Sequence, residues 1–205
     1  MFDNICITLY FIGFIIHIVI RIPHSQRYKK IRKNVTDNRM DWLEILLLLI
    51  ISIGIMHLPL IYAVSAWLDF ADYHLPFWIS LVFGIAGTIL YGIGLWLFWR
   101  SHVDLGLNFS PTLQIQAEQT LVTSGVYKYI RHPMYAFVWL WGLAQTLLLQ
   151  NWIAGPATLA CFLPLYFIRV PREEKMMLDH FGDQYRLYMN QAGRVIPRRL
   201  TWGKT

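Results

Sequence analysis

The chain has 205 residues, few enough for one domain, of which 56% are hydrophobic and 15% charged, with 9 Trp, 11 Tyr and 12 Phe. A soluble protein of this size carries roughly 25% charged residues, so this composition excludes an ordinary water-facing surface. The net charge of +6 points to no nucleic-acid partner, because all 18 Lys+Arg fall in three blocks: residues 21–39, the trio Arg100, Lys128 and Arg131, and residues 169–204.

Between those blocks lie apolar runs that approach or reach the roughly 20 residues a helix needs to cross a bilayer. The first, residues 5–20, follows Asp3 and lacks both a basic leader and a small-residue cleavage site, so it is expected to be a retained helix and not a signal peptide. The second, about residues 45–68, has Glu44 at its entrance and Pro59 inside, a kink that membrane helices tolerate. Residues 77–99 carry no charge, and their Gly84, Gly87, Gly92 and Gly94 offer close approach to a neighbouring helix.

Residues 101–131 are polar enough to sit outside the hydrocarbon and contain the strand-like TLQIQ and the turn TSG. Two shorter apolar runs follow, residues 134–149 and 152–168, separated by Gln150 and Asn151. At 1.5 Å per residue each spans about 24 Å, which predicts a tight antiparallel hairpin. Past Glu174 the tail reads as an amphipathic helix, with Leu178, Phe181, Tyr185 and Tyr188 at three- and four-residue spacing.

Alternating sides from run to run places every Lys and Arg on one side of the bilayer, while the loop at 69–76 holds only Asp69 and Asp72. By the positive-inside bias this predicts an all-α, multi-pass integral membrane protein of five transmembrane helices, amino terminus outside and carboxyl terminus cytoplasmic. Residues 1–99 would form three amino-terminal helices, and residues 100–205 a core with the hairpin and tail, all in one membrane domain. Arg172, Arg198 and Arg199 read as interface anchors. Cys6 and Cys161 lie within apolar runs, so neither a disulfide framework nor a cysteine metal pair is available, and the histidine spacing supports no metal site. His17 and His57 fall within spans, where ionisable residues are functional candidates.

Chemistry concentrates in two segments. Tyr127, Lys128, Tyr129, Ile130, Arg131, His132, Pro133, Met134 and Tyr135 lead into the fourth helix. Pro133 suits a first helical turn, which sets Arg131 and His132 at its positive end, where an anion is well held. The second segment is Arg169, Val170, Pro171, Arg172, Glu173 and Glu174. An antiparallel hairpin brings the two together, so Arg131, His132 and Tyr135 should meet Arg169, Glu173 and Glu174 in a mixed-charge, aromatic-lined pocket at the cytoplasmic membrane face, with the tail folded over it.

The ordered set LVTSGVYKYIRHPMY, a hairpin, then REEKMMLDHFGDQYRLYMNQAGRVIP resembles the isoprenylcysteine carboxyl methyltransferase family and its phospholipid methyltransferase relatives, over residues 121–197. The resemblance implies methyl transfer from S-adenosylmethionine, with the lipid bilayer as surroundings and a lipophilic small molecule or a prenylated-cysteine-like substrate as acceptor. It implies cofactor contacts from Leu121, Val122, Tyr127, His132, Tyr135, Glu173 and Glu174, and catalytic roles for Arg131 and Arg169. Phe137 departs from the family pattern, which has glycine there; so large a ring would narrow or reshape the groove and leaves the acceptor open. Methylation of a phospholipid amine or a small thiol, an NADPH-dependent sterol-type reductase and a non-enzymatic scaffold are the alternatives.

Overall fold

A computed structural model describes residues 2–31, 35–110, 112–116 and 119–198; Arg199 lies outside the described residues. Helix α1 (Phe2–Ile31) is followed by strand β1 (Val35–Asn38), α2 (Trp42–Ser52), a π-helical turn (Ile53–His57) and α3 (Leu58–Val64). Helix α4 (Phe77–Leu105), strand β2 (Gln114–Gln116), α5 (Pro133–Leu148), α6 (Ala157–Phe181) and α7 (Asp183–Gln191) complete it. β1 and β2 pair antiparallel, Asn38 opposite Gln114, so TLQIQ does supply a strand.

Three helical rods are long and apolar enough to cross a membrane: Asn4–Tyr28, Trp42–Val64 and Phe77–Asn108. Their outward faces are greasy by design of the sequence. On α4, Trp78, Val82, Ile85, Ile89, Ile93 and Trp96 recur at helical spacing and are all exposed, a stripe only lipid can cover. The opposite face of α4 packs on α5, where glycine is needed: a Cβ on Gly94 would lie 3.2 Å from the Phe137 ring, and one on Gly87 3.0 Å from Leu148. Gly92, by contrast, faces open space.

The second rod is expected to kink at Pro59. The chain widens there into the π turn just before that proline, which enters at the first turn of α3. Such bulges leave carbonyls off the regular ladder, and two of them find side-chain donors here. Gln145 Nε2 donates to Gly54 O (3.1 Å) and Ala154 O (2.6 Å), and Tyr10 Oη donates to Ile55 O (2.5 Å). Thr158 Oγ1 donates to Gln145 Oε1 (2.6 Å), so the fully buried glutamine ties the π turn to both arms of the hairpin.

One expectation about the tail is corrected. Helix α6 does not end near residue 168; it runs through Pro164 and Pro171 to Phe181. The amphipathic stripe is split at Gly182 (φ 52°), leaving Leu178 and Phe181 on α6 and Tyr185 and Tyr188 on α7. The two halves close on one another and on Leu121, folding α7 back over the start of α5.

Candidate functional site

The site is assembled where α5 begins. A 3-10 turn (Gly125–Lys128) is pinned to the end of α4 by Asp104, whose Oδ2 accepts from Val126 N (2.8 Å) while its Oδ1 pairs with Arg100 (2.6 Å). The chain then passes through Arg131 and His132 to Pro133, the first residue of α5. The returning tail locks this segment by backbone pairing: Arg131 N donates to Gly193 O (2.8 Å), His132 N to Arg194 O (2.9 Å) and Gly193 N to Tyr129 O (3.0 Å). Tyr188 Oη adds a bond to Tyr127 O (2.6 Å).

The anion at this helix start is the protein's own. Glu174, 4% exposed, accepts from Arg131 Nη2 (3.0 Å), His132 Nε2 (3.2 Å) and Arg194 Nη2 (2.5 Å). Arg131 also donates to the carbonyls of Met189 and Ala192, so its guanidinium is spent on holding the tail. With Nε2 donating, His132 is the Nε2–H tautomer by the logic of the network. Arg194 was not singled out in the sequence; its partner Glu174 is twenty residues upstream, a separation no spacing rule addresses.

Glu173 turns the other way. One residue along a helix rotates the side chain by about 100°, and Glu173 falls on the stripe Phe162, Leu165, Arg169, Glu173, Met176, which lines a cavity of about 440 Å³. Its Oε2 accepts from Tyr135 Oη (2.7 Å), and its Oε1 lies 3.7 Å from His132 Nδ1. Arg169 pairs at 2.9 Å with Glu44, a fully buried carboxylate at the mouth of the second rod. An acidic residue opening an otherwise apolar run was the available signal for Glu44.

The cavity has two ends. Leu121, Val122, Tyr127, Tyr135, Glu173, Tyr185 and Tyr188 line it near the start of α5 and the returning tail. Phe14, Ile51, Ile55, Phe98, Phe137, Trp141 and Phe162 surround the end within the helices. Of the residues expected at a site, Leu121, Val122, Tyr127, Arg131, His132, Tyr135, Arg169 and Glu173 line the cavity, whereas Glu174 stands behind His132. Phe137 is buried with its ring 4.5 Å from Phe98 and 5.2 Å from Trp141, and it lines the inner end of the cavity. His57 lies elsewhere, its Nδ1 3.0 Å from Ser52 O on its own helix. Arg172 pairs with Asp41, the amino-terminal cap of α2, in keeping with an anchoring role.

Burial disfavours ionisation of Glu174, but hydrogen bonds from His132 and Arg194, joined by Arg131, win and hold its carboxyl down at about 2. A depressed carboxylate stabilises the fold above its ordinary value of 4.5 and loses that contribution as pH falls toward about 2. The melting-temperature gap between the wild type and Glu174→Gln should therefore be open at pH 6 and narrow steadily below about pH 4.5. A gap of constant size across that range would contradict the assignment.

Residues 86–179 match the model of the isoprenylcysteine carboxyl methyltransferase family. The protein-S-isoprenylcysteine O-methyltransferase of Tribolium castaneum is 35% identical over 158 residues, covering 71% of this chain and 54% of that protein. The Homo sapiens protein of that name is 28% identical over 141 residues, covering 66% and 49%. Among solved structures, the eukaryotic intramembrane Ras methyltransferase, isoprenylcysteine carboxyl methyltransferase, is similar with a TM-score of 0.51 at 28% identity, over 75% of this chain and 50% of that one. The chain thus spans about half the length of the relatives it matches. The matched segment holds α5, His132, Tyr135, Arg169, Glu173 and the bulk of the cavity wall, and over it the chain is similar to the isoprenylcysteine carboxyl methyltransferase family.

Proposed function

We propose that this chain transfers a methyl group from S-adenosylmethionine to a lipophilic acceptor at the cytoplasmic membrane face, by carboxyl O-methylation of an isoprenylcysteine-type substrate. The observation that carries the reading is a single cavity with a polar, carboxylate-bearing end and an aromatic and aliphatic end, which suits one charged and one greasy ligand meeting head to head. The names of the relatives point to the same acceptor class. The reading includes five membrane crossings, with α5 and the first part of α6 as the last two and the carboxyl terminus inside, supported by the one-sided distribution of Lys and Arg.

The cavity residues fit the cofactor by type. Glu173 offers a carboxylate to an ammonium or to ribose hydroxyls, Tyr135 orients that carboxylate through its 2.7 Å hydrogen bond, and Tyr185 and Tyr188 offer faces for a planar ring or a cation. When bound, S-adenosylmethionine supplies an electrophilic methyl on a sulfonium. A carboxylate acceptor is already nucleophilic at neutral pH: its oxygen forms the new O–CH₃ bond while the S–CH₃ bond breaks and its electron pair goes to sulfur. No proton moves, so His132, whose Nε2–H is held by Glu174, serves to orient and not as a base. Arg169 is placed to steer the carboxylate, and Arg131 acts through Glu174 to hold the segment that carries His132. The dominant contribution of such a site is alignment and exclusion of water.

The test is label transfer from methyl-labelled S-adenosylmethionine to an N-acylated S-farnesylcysteine by the full chain in detergent. Label should enter the lipid and be released by alkali as methanol, the mark of a methyl ester. Alkali-stable label would move the acceptor to an amine or thiol, and absence of both transfer and S-adenosylhomocysteine binding would overturn the cofactor as well.

A further inference from the structure

Helix α1 carries Tyr10, Phe14, His17, Arg21, His24 and Tyr28 at alternating four- and three-residue spacing, which puts all six on one face. That face turns inward, since Tyr10 and Tyr28 are buried while Ile12, Ile15, Ile16, Val19 and Ile22 are exposed. Descending toward the cytoplasm, it changes from aromatic to polar where it meets the cavity. The His17 ring sits among Phe98 (4.7 Å), Trp141 (4.9 Å) and Phe137 (5.6 Å), and its Nδ1 is buried with no hydrogen-bond partner among the described residues.

Arg21, one turn further on, also lines the cavity. By sequence it belongs to the basic block that reports orientation, yet it stands on the cavity wall and is only partly exposed. The other charged groups on the cavity wall have partners: Arg169 has Glu44, Arg131 has Glu174, and Glu173 has Tyr135 and His132. Arg21 makes no ion pair within 4.0 Å among the described residues, and the charge it does feel is the like charge of Arg169. A poorly solvated cation without a counter-ion is costly unless a ligand supplies one. Arg21 is thus a cavity-wall guanidinium with no carboxylate partner among the described residues.

We propose that Arg21, with His17 beside it, receives the carboxylate of the lipophilic acceptor and so selects anionic acceptors over neutral ones of the same shape. The inference rests on the methyltransferase reading and names the group that reads the acceptor. Position separates this carboxylate from the one on the cofactor. His17 lies on α1 against the Phe98, Phe137 and Trp141 rings with Arg21 one turn on along the cavity wall, whereas Glu173 is held by Tyr135 at the start of α5. An acceptor with its chain among Phe137 and Trp141 would present its head group to Arg21 and, across the cavity, to Arg169. Guanidinium also binds carboxylate in a bidentate fork that lysine cannot copy.

The full chain in detergent should bind an N-acylated S-farnesylcysteine at least tenfold more tightly than its carboxamide. In Arg21→Gln that preference should collapse to within about twofold, with KM for the acid raised at least tenfold and S-adenosylhomocysteine affinity unchanged. Folding is judged separately, by gel filtration and the melting curve; if Arg21→Gln is unfolded, Arg21→Lys should keep the sign of the preference at a fraction of its size. Three results would overturn the proposal: no acid preference in the wild type, a full preference in folded Arg21→Gln, or a tenfold loss of S-adenosylhomocysteine affinity there, which would give Arg21 to the cofactor. Failure of the wild type to bind S-adenosylhomocysteine at all would instead strike the methyltransferase reading.

Discussion

Glu174→Ala is expected to lower the stability of the folded chain by about 3–5 kcal/mol, whereas Glu173→Gln, next door, should leave stability within about 0.5 kcal/mol and abolish most cofactor binding. The difference follows from where each carboxylate points. Removing Glu174 strands Arg131 and the buried His132 without a counter-ion and frees Arg194, all three held within 3.2 Å of it. The loss extends to the tail, because Arg131 also grips the carbonyls of Met189 and Ala192. Glu173 lines the cavity and is partly exposed, with Tyr135 as its close hydrogen-bond donor among the described residues. Thermal unfolding in detergent reads the first effect, and S-adenosylhomocysteine titration of Glu173→Gln the second. Equal destabilisation by the two substitutions would refute the division of labour.

The second large effect concerns Glu44 and Arg169. Breaking a buried pair by removing one member is costly because the remaining charge stays in a poorly solvating place, about 3–5 kcal/mol in comparable cases. Glu44→Leu leaves the Arg169 guanidinium against an aliphatic chain, and Arg169 sits on the cavity wall, so both stability and acceptor affinity should fall. The double replacement Glu44→Leu with Arg169→Met removes both charges and should recover most of the stability but none of the activity. Recovery of activity in the double variant would show that Arg169 has no part in the chemistry. The combined measurement is a melting curve and a methyl-transfer assay on the same preparations.

The elements of the site were readable early because their signals are local. Pro133 after Arg131 and His132 announces a helix start by the ring's fixed φ and absent N–H, and the structure begins α5 at that residue. The apolar runs declare themselves by length alone, and a hairpin with a two-residue polar break must set Tyr135 near Glu173 whatever the details. The tail was harder. The apolar run ends at residue 168, but α6 continues to Phe181, and Arg169, Arg172 and Glu174 along that extension each find a partner from another element. A helix that continues carries its phase with it, and phase decides which of two adjacent glutamates faces the cavity.

Arg21 shows the same limit more sharply. Its place at the end of an apolar run is the ordinary signature of a topology residue, and as such it was counted with Arg27 and Arg39. Only the packing of α1 against α4 and α5 turns its face of the helix toward the cavity, one turn on from His17.

The sequence by itself determined that this is a helical membrane protein and which short segments hold its polar chemistry. Composition, run length and spacing act through the transfer of side chains between water and lipid, and need no knowledge of neighbours. The tertiary structure alone decided that Glu174 braces the tail while Glu173 faces the cavity, that Glu44 answers Arg169, and that Arg21 stands on the cavity wall with no counter-ion among the described residues. Those outcomes depend on which charges meet across elements far apart in the chain, and a charge in a poorly solvated interior is governed by its nearest partner.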